Sequence, residues 1–73
     1  MMMRYKHFEI KAQPFEGEIL YEILFLGKLQ YAITHYINLW LRQKWVVTPE
    51  TYSETINDHE VQEIGAFIES SDL

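Results

Sequence analysis

The sequence predicts an α+β domain, a three- or four-stranded antiparallel sheet packed on one C-terminal helix. Three stretches predict it. "YKHFEIKA" alternates Phe8, Ile10 and Ala12 with His7, Glu9 and Lys11, which is the period of a strand with one dry and one wet face. "EILYEILFLGKLQYAIT" breaks at Leu26-Gly27, where glycine supplies the positive φ of a tight hairpin. "TINDHEVQEIGAFIE" carries the start signature of a helix.

The first strand is expected over Tyr5–Ala12, with Pro14 and Gly17 in "QPFEG" ending it as a turn. The hairpin then runs through about Glu18–Phe25 and Lys28–Tyr36. One face carries Ile19, Tyr21, Ile23 and Phe25, and the facing strand supplies Leu29, Tyr31 and Ile33. Leu20, Leu24 and Ala32 on the outer face are apolar too, which fits a sheet partly covered on both sides.

A helical alternative competes for this stretch. Leu29, Ile33, Tyr36, Ile37, Trp40 and Leu41 fall on one helix stripe, and Arg42 and Lys44 suit a helix C-terminus. On that reading Leu29–Lys44 is a helix and the protein is mostly helical. Against it, Ile23 to Pro49 contains no acid, so no Glu–Lys pairs support an exposed helix face. The many β-branched and aromatic residues favour strands. "KWVVT" reads as a fourth strand, and "PETYSET" as a polar loop.

The helix is expected over about Asp58–Glu69. Asn57 caps it, and Glu60 three residues on completes a capping box. Ile56 and Val61 form a hydrophobic staple. Val61, Ile64, Gly65 and Ile68 mark the packed face. A glycine there costs about 1 kcal/mol against alanine and points to close approach of helix and sheet.

The 73 residues make one domain. No cysteine is present, so no disulfide or thiolate metal site staples it, which fits a reducing cytoplasm. The N-terminus has no apolar signal-peptide core, and the polar interruptions of the middle make it a poor membrane span. Residues 1–47 carry six bases against four acids, whereas residues 48–73 carry seven acids and no base, for a net charge of −5. Such a charge argues against duplex nucleic acid, where phosphate neutralisation dominates affinity.

The layout resembles small uncharacterised bacterial proteins built as a short β-meander followed by a C-terminal helix. The matching pieces are "FLGK", Ile33, Trp45 and "INDHEVQEIGAFIE", about half the chain. "FLGK" departs from the Asp-Gly or Asn-Gly expected at such a turn. The resemblance implies no activity.

Little in the chain suggests catalysis. His7, His35 and His59 have no metal-ligand spacing. Asp58, His59 and Ser53 supply the residue types of a hydrolytic triad, but no Gly-x-Ser-x-Gly elbow accompanies them. Glu60 and Glu63 share a helix face, where solvation is the ordinary role. There is no phosphate loop, dinucleotide fingerprint or calcium loop. The expectation is no catalytic residue, no cofactor, no metal and no small-molecule substrate.

The candidate interface is Tyr36, Leu39, Trp40 and Leu41. As a connector between strands, Leu39–Leu41 in water would form an exposed apolar patch, which marks an interaction surface. The alternative is that Trp40 folds into its own core. Tyr31, His35, Tyr36, Arg42, Lys44 and Trp45 offer a second class, stacking on single-stranded bases. The expected function is therefore non-catalytic protein–protein interaction or self-assembly, as a cytoplasmic homodimer or with a protein partner. The alternative is a small acidic regulator or inhibitor docking on a basic surface.

Overall fold

A computed structural model describes residues 2–36 and 44–71, with Tyr36 by its backbone alone. The order is β1 (Met2–Tyr5), β2 (Phe8–Phe15), β3 (Glu18–Phe25), β4 (Lys28–Tyr36), β5 (Lys44–Val47), a 3-10 turn (Pro49–Thr51) and α1 (Asp58–Ser71). The strands form one antiparallel meander in sequence order, and α1 lies across one face against β4 and β5. The α+β class is as the sequence predicts, with five strands rather than three or four.

The extra strand comes from a turn at Lys6-His7, which splits the expected first strand into β1 and β2. Lys6 takes a φ of +56°, so a lysine does here what glycine usually does. β2 does not stop at Pro14 but pairs through Phe15, and the turn is Glu16-Gly17. Proline is tolerated because β1 begins opposite Lys11. Beyond that point no described residue pairs with β2 on its outer side. Pro14 pairs with Ile19, one step from the closing pair Phe15–Glu18, so its missing N–H faces away from β3.

The Leu26-Gly27 turn forms as predicted, with both residues at positive φ. Residues 28–36 are strand and Lys44 begins β5, so the helical reading of Leu29–Lys44 fails across those residues. Cross-strand pairing to β3 meets their backbone groups, and β-branched Ile33 and Thr34 suit the pleat. The connector Ile37–Gln43 lies outside the described residues.

A register shift separates Ile23↔Tyr31 from Leu24↔Leu29, leaving Gln30 as an extra residue in β4. It changes the face of everything on its far side. Tyr31 and Ile33 point to the helix as expected, but Leu29 pairs with Leu24 and points to the opposite face.

The core is Ile10, Tyr21, Ile23, Tyr31, Ile33 and Trp45 from the sheet, closed by Val61, Ile64 and Ile68 from α1. Gly65 is buried on the same helix face, and a Cβ built there would overlap the Trp45 indole. The helix approaches the sheet this closely because residue 65 has no side chain. Asn57 caps α1 by accepting the His59 N–H at 2.9 Å. Glu60 does not serve as the reciprocal half of a capping box, since its Oε1 accepts the Tyr31 hydroxyl at 2.7 Å.

Gln62 fixes the helix to the edge of the sheet. Its Oε1 accepts the Trp45 N–H at 3.2 Å and its Nε2 donates to the Trp45 carbonyl at 2.7 Å. The side-chain amide thus occupies the place of a neighbouring strand's peptide group.

Candidate functional site

The helix covers one face of the sheet, and among the described residues no α-helix covers the other, open face. Alternation puts Leu20, Glu22 and Leu24 of β3 on the open face. The register adds Gln13 and Phe15 from β2, Leu29 and Ala32 from β4, and Val46 from β5. Phe15 is 56% exposed and Leu29 49% exposed. Leu20, Leu24 and Val46 are half-buried.

Of these, Gln13, Phe15, Leu20, Glu22, Leu29 and Ala32 line a groove of about 340 Å³. Ala32 forms its floor, because a methyl group between longer neighbours leaves a depression. The 3-10 turn makes one wall, held by polar contacts to β4. Thr48 donates its N–H to the Ala32 carbonyl at 2.9 Å, and Thr51 Oγ1 accepts the Ala32 N–H at 3.0 Å. Pro14 and Phe15 close another side, while Glu22 and Glu50 bring carboxylates to the lining. Gln13 Nε2 donates to Glu22 Oε1 at 2.9 Å, which orients that carboxylate.

The sequence-derived interface is largely untested by this structure. Leu39, Trp40 and Leu41 lie outside the described residues, and Tyr36 contributes only the backbone end of β4. The open-face groove was missed because Phe15 reads as a turn residue and Leu29 as core-facing. The signal that could have found it is the run of apolar residues at both parities of "EILYEILF", which means two apolar faces where one helix can cover one.

The polar side chains singled out from the sequence are engaged within the fold. His59 Nε2 lies 2.8 Å from Glu63 Oε1, and Ser53 Oγ is bonded to Thr55 Oγ1 at 2.9 Å, so these residues do not assemble as a triad. Glu63 Oε2 also accepts from the Tyr5 hydroxyl at 3.2 Å and lies 3.7 Å from Lys6 Nζ. Tyr31 and Trp45 are buried beneath α1, which withdraws them from any surface for stacking bases. Burial, together with the hydrogen bond and the charge of Glu60, holds the Tyr31 hydroxyl well above the ordinary tyrosine pKa.

A smaller cleft of about 270 Å³ lies at the other end of α1, lined by Glu18, Tyr21, His35, Trp45 and Glu69 among others. The His35 ring stacks on the indole with centroids 4.9 Å apart, and Trp45 Nε1 donates to Glu69 Oε1 at 3.3 Å. His35 Nε2 is 3.2 Å from the same oxygen but is not directed at it and has no hydrogen-bond partner. We read that pair as proximity rather than a bond, since direction decides a hydrogen bond. Among the described residues no group of three or more His, Asp or Glu is placed to hold a metal ion. No described helix is long and apolar enough to cross a membrane.

Compared with known proteins, the chain matches no family model, no curated protein and no solved structure. The resemblance to small meander-plus-helix proteins therefore rests on the quoted residues alone.

Proposed function

We propose that this is a non-catalytic, self-associating domain whose contact surface is the open face of the sheet. The observation that supports the reading is the groove bounded by Phe15, Leu20, Leu29 and Ala32, apolar surface that α1 does not reach. A short chain has little apolar surface to leave in water, and a contiguous exposed patch marks an interaction site. Two-fold self-contact covers such a patch with the same surface.

The alternative of acidic docking draws less support from the geometry. Glu60, Glu63 and Glu69 each accept hydrogen bonds from the protein's own sheet, so they are already committed.

Sedimentation equilibrium at micromolar concentration tests the reading, comparing wild type with Leu29→Lys on the open face and Trp40→Ala in the connector. The expected result is a dimer that survives high salt, as apolar contact does and charge docking does not, and that Leu29→Lys dissociates. A wild type that stays monomeric sinks the reading. A dimer broken by Trp40→Ala and untouched by Leu29→Lys moves the interface to the connector.

A further inference from the structure

We propose that the β3–β4 hairpin tip is the other half of the contact, with Leu26 of one copy seating in the open-face groove of a second copy. This rests on the reading of the open face as a self-association surface and names what fills it.

Leu26 is out of place twice in the monomer. Its φ of +52° lies in the left-handed region that disfavours a bulky L-residue, at a turn position that Asn, Asp or Gly suits better. It is also 81% exposed, the most exposed large apolar side chain among the described residues. Lys6 and Glu16 share that backbone region, but each places a polar side chain in water. Among the described residues, only Leu26 combines a left-handed backbone with large apolar surface left exposed. Departures from local rules of this kind cluster at functional sites.

The groove complements the tip in shape and charge. Pro14, Phe15, Leu20, Leu29 and Ala32 offer an apolar pocket of about 340 Å³, ample for an isobutyl group. Its carboxylates are Glu22 and Glu50. The tip carries exposed Lys28, and no acid occurs between Glu22 and Glu50 in the chain. A basic-flanked apolar knob thus faces an acid-bearing apolar hole. Each copy has one of each, so a closed pair makes the contact twice.

The test uses Leu26→Asn and Phe15→Lys. Asparagine tolerates the left-handed backbone and forms the favoured Asn-Gly turn, so Leu26→Asn should melt no lower than wild type when both are diluted to monomer, while its dimer weakens. Two buried leucines per dimer, each contributing about tenfold or more, predict a loss of about a hundredfold in dimer affinity. Phe15→Lys, at an exposed groove wall, should dissociate the dimer while leaving the tip intact. Mixing the two variants restores one sound tip and one sound groove, and a heterodimer should appear in sedimentation velocity. A wild-type dimer unmoved by Leu26→Asn, or no heterodimer on mixing, overturns the tip-in-groove contact and leaves the self-association reading standing. A large drop in melting temperature for Leu26→Asn against wild type, both measured as monomers, also overturns it, because Leu26 would then be packed within its own fold. A wild type that never dimerises fails the underlying reading instead.

Discussion

Replacing Gly65 by alanine should destabilise this protein, although helix propensity alone says the reverse. In an exposed helix interior, Gly→Ala stabilises by about 1 kcal/mol. Here the added methyl would lie inside the van der Waals envelope of the Trp45 indole. Trp45 is buried, stacked on His35 and tied through its backbone to Gln62, so the ring has little freedom to withdraw. Lifting the helix instead would loosen Val61, Ile64 and Ile68 together. Overpacking of this type costs about 1–3 kcal/mol, and a rigid, buried ring puts it at the upper end. The net expectation is a loss of about 1–2 kcal/mol, or a melting temperature lower by roughly 5–15 °C for a domain of this size. Urea denaturation followed by far-UV circular dichroism measures it. A second substitution, Trp45→Leu, makes room for the methyl, so the pair should be coupled by about 0.5–3 kcal/mol in a double-mutant cycle. A Gly65→Ala variant more stable than wild type would refute the close approach of helix and sheet.

Three further outcomes follow from the same contacts. Tyr31 has a raised pKa in the folded state, so its contribution to stability is complete below the ordinary tyrosine value of about 10 and is lost as pH rises past it, by up to about 1.4 kcal/mol per pH unit. Tyr31→Phe should flatten that alkaline loss, and an unchanged slope in urea titrations between pH 9 and pH 12 (about the range set by the reference value) would count against it. Gln62→Ala removes both bonds to the Trp45 backbone and should lower stability by about 1–3 kcal/mol, with faster exchange of the Trp45 amide by NMR as the specific readout. Asn57→Ala should lower stability by about 1 kcal/mol through loss of the cap to His59, and an unaltered urea midpoint would show that the cap contributes nothing.

Much of the architecture was legible because its signals are local. The Leu26-Gly27 turn and the Asn57 cap are each specified by neighbouring residues, and both form where expected. The misreadings share a different cause, dependence on what lies across the sheet. "RYKHFE" contains no Gly, Pro, Asn or Asp to announce a turn, so β1 was invisible until Lys6 was seen at positive φ. Pro14 reads as a strand end only if a partner lies on its N–H side, and the described part of β1 pairs no further than Lys11. The face of Leu29 depends on the bulge at Gln30, which reverses parity without any mark in composition. The groove combines these last two misreadings, with Phe15 beyond the supposed turn and Leu29 beyond the bulge, so the apolar parities of β3 signal a second face without placing these two walls.

The Gln62 amide sets how far strand-to-strand joining could go. A sheet with two receptive edges behaves like a bifunctional monomer, and each addition regenerates a reactive end, as in a growing fibril. In this protein the β5 edge is capped at Trp45, its central N–H and C=O already occupied. Among the described strands the other edge is β1. A monofunctional unit terminates when it reacts, so edge pairing through β1 would stop at two copies. Gln62→Ala would restore the second function, turning a chain terminator into a species able to propagate.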